Sequence, residues 1–84
     1  TPAVRETAAD RLALVRSREV IPALIGAMED PDHGVREAAM AGLFGLTGRR
    51  EPGYAPDGPA DERAKAVAAL RDWWEQTGPR FDFR

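Results

Sequence analysis

No cysteine occurs among the 84 residues, so neither a disulfide framework nor a thiolate metal site reinforces the fold. A single histidine, His33, has no second ligand placed near it by the sequence, which argues against a metal or general-base role. The single serine, Ser17, lies in no local nucleophile motif, and the carboxylates are spread along amphipathic stretches as on a solvated face. These absences point away from catalysis and from any cofactor. No apolar run approaches the roughly 20 residues needed to cross a bilayer, and no charged region followed by an apolar stretch opens the chain. Membrane insertion within the segment is therefore not expected, and the cytoplasm is the favoured compartment. The 12 basic and 14 acidic residues give a net charge of −2, an overall field that does not favour a polyanion, so nucleic acid is not the expected partner. A body of this length is one domain at most and buries only about 60% of the surface its unfolded chain exposes, which leaves a thin margin of stability. Eleven of the 12 basic residues are arginine and alanine fills 15 positions, a bias expected of a GC-rich bacterial genome.

What is present is a repeat. VRETAADRLALV, from Val4 to Val15, recurs 31 residues later as VREAAMAGLFGL, from Val35 to Leu46, with five of twelve positions identical. Periods of this length mark helical units that stack because none can bury its apolar stripe alone. The expected fold is an all-α solenoid of antiparallel helix pairs.

Four helices follow from spacing and punctuation. The first is predicted from Pro2 to Val15 or Arg16, with Thr1 as N-cap, Pro2 at the first helical position, and a buried stripe of Val4, Ala8, Leu12 and Val15. The second runs from Ser17, as a cap, to Glu29, with Ile21, Leu24, Ile25 and Met28 inward and Pro22 tolerated near the first turn. Asp30-Pro31-Asp32 turns the chain, and Asp32 is placed to cap a third helix from His33 to Leu46, stopped by Thr47-Gly48. Its inward residues are Val35, Ala39, Leu43 and Leu46. Arg49 to Ala60 is rich in proline and glycine and reads as a loop; a last helix, capped by Asp61, ends at Thr77-Gly78-Pro79.

Shifted by 46, VIPALIGAME (Val20 to Glu29) aligns with AVAALRDWWE (Ala66 to Glu75), matching Ala23/Ala69, Leu24/Leu70 and Glu29/Glu75. The shift is the repeat period lengthened by a 15-residue insertion. The division expected is therefore 1–16 as the second helix of a truncated repeat, 17–47 as a complete repeat, 48–60 as the insertion, 61–78 as a terminal helix and 79–84 as a tail. Because the chain opens in mid-repeat and without methionine, it is expected to be a fragment of a longer protein.

The segment IPALIGAMEDPDHGVREAAMAGL, Ile21 to Leu43, resembles a HEAT repeat, and its short period resembles the PBS-lyase type found in bacteria. The LTG closing the third helix, the GY-x-P loop and the WW of the last helix are similar to the C-terminal unit of bacterial HEAT-repeat proteins, with Ala55 where that pattern has aspartate. The resemblance implies a structural ladder in which an aspartate ending one helix and an arginine six residues later bond between neighbouring repeats. The matching residues are Asp30 and Arg36, and Arg5 matches the arginine of the preceding repeat. No His-Glu dipeptide of the kind used by HEAT-fold iron hydroxylases occurs.

The functional clue is apolar surface that the core does not require. Met40 and Phe44 lie one turn apart, off the inward stripe, where the first helix has only Ala9 and Ala13. Either the terminal helix and the Tyr54 loop cover them, with Trp73-Trp74 completing the cluster, or they form a concave patch that receives a partner. The insertion itself is either a clip holding Tyr54 against Trp73 or Trp74, or a binding loop. Phe81 and Phe83 suggest a tail that packs back on the stack or docks on a neighbour. Arg49-Arg50 is placed to meet the third helix's terminal carbonyls, with phosphate binding the lesser reading. The function expected is a non-catalytic protein-binding or scaffolding module, with Met40, Phe44, Tyr54 and Trp73 as candidate contact residues. The alternatives are an accessory domain of an enzyme or chromophore lyase and a purely structural solenoid cap.

Overall fold

The computed structural model describes residues 1–15 and 17–81, and every regular element among them is helical. The order is α1 (Pro2–Leu12), α2 (Val20–Ala27), α3 (His33–Thr47), α4 (Ala60–Thr77) and a 3-10 turn, Gly78–Arg80. In the fold α2 packs on both α3 and α4, while α1 packs chiefly on α3. The chain thus forms two layers, α2 with α4 and α1 with α3, and the smallest extent of the Cα trace, 15 Å, suits two helices deep.

The helix ends follow local chemistry. The Thr1 hydroxyl accepts from Val4 N at 3.3 Å at the start of α1, and the Asp32 carboxylate accepts from Val35 N at 3.1 Å at the start of α3. At the other end of α3, Gly48 takes φ 72°, a left-handed value that a side chain would strain, and donates to the Phe44 carbonyl at 2.7 Å.

Several boundaries differ from expectation. The helix α2 begins at Val20 rather than Ser17, after a turn in which Val20 N and Ile21 N reach back three residues to Ser17 O and Arg18 O. Pro22 explains this: an earlier start would require a hydrogen bond from Pro22, which has no N–H, whereas at the third position of α2 none is needed. Ser17 therefore does not cap a helix; its Oγ meets Glu19 N at 3.4 Å. Likewise α4 starts at Ala60 with Pro59 as N-cap, and Asp61 and Glu62 lie in its first turn, where their charge complements the positive end of the helix. The helix itself ends at Thr77, and a 3-10 turn continues over 78–80 where a tail was expected from 79.

The inward residues of α2 and α3 are those the spacing indicates: Ile21, Leu24, Ile25 and Met28 against Val35, Ala39, Leu43 and Leu46, joined by Ala66, Val67 and Leu70 of α4. Helix α1 is the correction. It ends at Leu12, and its buried residue is Ala9, with Leu12 partly covered; Val4 is 65% exposed and Val15 49%, and Ala8 is exposed too. Among the described residues α3 and the edge of α2 lie against α1, so the Ala9 side is covered and the Val4/Ala8 side is left open. The expected continuation to Arg16 falls on a residue outside those described.

Candidate functional site

A cleft of about 310 Å³ opens beside α3, between its Met40/Phe44 side and the loop that follows. Met28, Leu43 and Leu70 form its apolar floor, and Arg49, Arg50 and Tyr54 stand on its loop side. It exists because the Cα traces of α3 and α4 stay more than 8 Å apart; α2 and the insertion connect them instead. In the internal repeat Met40 and Phe44 correspond to Ala9 and Ala13 of α1, which lie on the side facing α3. Two alanines allow α1 and α3 to pack closely, and the larger residues point where the next such helix would stack.

The insertion fills part of that space and is pinned at three points. Tyr54 is buried, and its hydroxyl donates to the Met28 carbonyl at the end of α2 at 2.6 Å. Burial pushes its phenol pKa above the ordinary 10.0. The buried Arg36 donates through Nε to Pro56 O at 2.8 Å, and through Nη1 to Asp30 O and Pro31 O, both at 2.8 Å. Arg63 Nη1 donates to Gly58 O.

Arg5 reaches the same turn from the other side. Its Nε and Nη2 donate to the two carboxylate oxygens of Asp30 at 2.7 and 3.1 Å, a forked pair. Asp30 also accepts from Asp32 N at 2.9 Å. The bond from Arg5, with that from Asp32, holds the Asp30 pKa below its ordinary 3.8 and raises that of Arg5. Arg5, Asp30 and Arg36 thus form a continuous set of contacts. Where Arg5 finds a carboxylate across the layer, Arg36 finds the Pro56 carbonyl of the insertion.

Of the expected contact residues, the cleft brings together Met40, Phe44 and Tyr54, but they differ in access. Phe44 is 40% exposed, Met40 is half-buried, and Tyr54 is sealed beneath the loop, so Tyr54 positions the cleft wall rather than presenting a surface. No ring contact joins Tyr54 to either tryptophan among the described residues. Trp73 lies outside the cleft, half-buried in a cluster with Trp74 and Phe81 at centroid distances of 5.7 and 6.4 Å. The tail's Phe81 therefore packs back on α4, whereas Asp82, Phe83 and Arg84 fall outside the described residues.

The two arginines after α3 do not cap its carbonyls with their side chains. Arg50 lies over the Phe44 ring at 4.4 Å, and Arg49 lies over Trp73 at 5.1 Å while pairing with Glu51 at 3.2 Å. The Nε of Arg49 is buried without a hydrogen-bond partner. No signal in the sequence places these arginines over those rings, because the path of the loop decides it. His33 pairs only with Glu37, one turn on, at 3.0 Å, and no group of three or more candidate metal ligands occurs among the described residues.

A family model for HEAT repeats matches residues 1–79. The chain belongs to the HEAT-repeat family. Comparison with curated proteins and with solved structures gives no match. HEAT repeats are typically non-catalytic and generally serve protein interaction or scaffolding. Among the described residues no helix is long and apolar enough to cross a membrane.

Proposed function

We propose that this HEAT-repeat segment is a non-catalytic protein-binding module whose receiving surface is the cleft bounded by Met40, Phe44 and Arg50. The observation that carries this reading is Phe44: a large aromatic left 40% exposed at the rim of an apolar hollow, with a guanidinium stacked on it. A rim of this kind suits an apolar side chain from a partner flanked by a carboxylate, since Arg50 makes no ion pair among the described residues. The contacts of Tyr54 and Arg36 fix the loop beforehand, so little ordering entropy is lost when a partner arrives. On the motifs quoted above we place the segment with the bacterial, PBS-lyase-like repeats, with a protein rather than nucleic acid as partner.

The solenoid-cap reading also has an observation in its favour. Trp73, Trp74 and Phe81 close on one another, and the outer side of α4 carries no large exposed apolar residue. Co-purification from the source cell with the native segment and with Phe44→Ser as baits separates the two. A specific protein retained by the first and lost by a folded Phe44→Ser supports the binding module; equal retention by both, or none, supports the cap.

A further inference from the structure

We propose that the groove between the outer sides of α2 and α4 is a second docking surface, and that it takes an extended, proline-containing segment with a basic residue beside the proline. The groove is a hollow of about 200 Å³ lined by Pro22, Ile25, Arg71, Trp74 and Glu75. Its two walls come from helices that pack on each other, and it shares no residue with the cleft at Phe44. From α2 come the buried Ile25 and the exposed Pro22, and from α4 the half-buried Trp74.

Both rings are set in place before any partner arrives. Pro22 occupies the first turn of α2, where its ring fixes the backbone. Trp74 is held by Trp73 and Phe81, at centroid distances of 5.7 and 5.9 Å. Gly78 closes over the same indole: a Cβ there would lie 2.9 Å from Trp74 Cε2, so a side chain at that point would push the ring away. Arg18, four residues before Pro22, secures the segment that carries Phe81 by donating to its carbonyl. A surface fixed in this way loses little ordering entropy on binding.

Three features specify the occupant. A slot between a prolyl ring and an indole suits another prolyl ring, the packing by which aromatic-lined grooves receive polyproline segments. The Trp74 indole N–H has no acceptor among the described residues and is not sealed off, so a ligand can reach it. A polyproline segment has no internal hydrogen bonds and offers its carbonyls to such a donor, whereas those of a helix are engaged. Charge supplies the third feature. Arg71 lies toward Glu29 of α2, at 4.0 Å, while Glu75, one turn further along α4, is exposed and makes no ion pair among the described residues. An arginine or lysine beside the proline satisfies it. A second copy of this chain fits less well, because its own Pro79-Arg80 pair lies in the 3-10 turn already packed on α4.

The test titrates three labelled synthetic peptides against the whole chain by fluorescence anisotropy: an oligoproline bearing two arginines, the same oligoproline bearing two glutamates, and an alanine-rich helical peptide bearing two arginines. The arginine-bearing oligoproline is expected to bind saturably and about tenfold more tightly than either of the others. Glu75→Arg in the chain should reverse the order of the two oligoprolines, and Pro22→Ala should weaken binding about tenfold. Both positions are exposed, and circular dichroism checks that each variant is folded. Phe44→Ser should leave binding unchanged, which separates this groove from the cleft. The proposal is overturned if the arginine-bearing oligoproline fails to bind, if the helical peptide binds as tightly, or if Glu75→Arg or Pro22→Ala leaves binding as it was. Loss of binding in a folded Phe44→Ser would overturn it in favour of the cleft. Sedimentation equilibrium showing a dimer of the chain alone that Glu75→Arg dissolves would overturn it in favour of a second copy.

Discussion

Replacing Tyr54 by phenylalanine removes one oxygen and leaves the ring in place, which makes it the sharpest probe of how the insertion is held. The hydroxyl is buried and donates to Met28 O at 2.6 Å, so its loss removes a hydrogen bond worth about 0.5–1.5 kcal/mol net and deprives a helix-end carbonyl of its donor, for a total of about 1–2 kcal/mol. In a domain of this size each kcal/mol moves Tm by about 4–8 °C, so a fall of about 4–16 °C is expected. Urea denaturation followed both by circular dichroism and by tryptophan fluorescence checks it, because Trp73 and Trp74 report on α4 while ellipticity reports on all helices. The midpoint should fall by both probes with the slope unchanged. The pH dependence gives a second signature. Burial raises the Tyr54 pKa, so the neutral phenol's contribution is present below the ordinary 10.0 and is lost as pH rises through the raised value. Native protein should therefore weaken in alkali in a way that Tyr54→Phe does not. A loss below about 0.3 kcal/mol, with identical alkaline profiles, would refute the idea that this contact clips the loop.

Three further outcomes follow from named contacts. Asp30 has its pKa lowered by Arg5 and by the Asp32 amide, so its contribution is present above the ordinary 3.8 and lost as pH falls through the lowered value; acid titration of stability should be flatter for Asp30→Asn than for the native chain. Gly42→Ala should destabilise by about 1–3 kcal/mol in thermal unfolding because its Cβ meets Ala13 at 2.9 Å, whereas Gly45→Ala, which meets nothing within 4 Å, should stabilise by about 0.5–1 kcal/mol. Phe44→Ser, at a side chain more than half covered, should cost about 1–2 kcal/mol, while Leu43→Ala, one residue away and buried, should cost about 2–5 kcal/mol in urea titrations.

The central repeat was the most legible part of the sequence. Asp32 and Gly48 mark the ends of α3 by chemistry that acts within a few residues, and the stripes of α2 and α3 bury one another. The stripe of α1 was misread for a physical reason. Periodicity says which residues are apolar on one side of a helix, but Val4 and Ala8 need a neighbour that is not there among the described residues, and it is the Ala9/Ala13 side that meets α3. The start of α2 was displaced because the effect of Pro22 depends on where the first turn closes. In the site, the excess apolar character of Met40 and Phe44 was readable from the repeat, since it appears as a mismatch with Ala9 and Ala13. The burial of Tyr54 and the stacking of Arg49 and Arg50 were not, because they depend on the path of a loop that no repeat constrains.

The central claim is that a partner protein seats on the cleft at Phe44. A photo-crosslinking residue placed at position 44, and separately at Lys65 on the exposed side of α4, tests it in the source cell. The account predicts a discrete protein adduct from position 44 that is absent from position 65. No adduct from either position, or the same adducts from both, would contradict it.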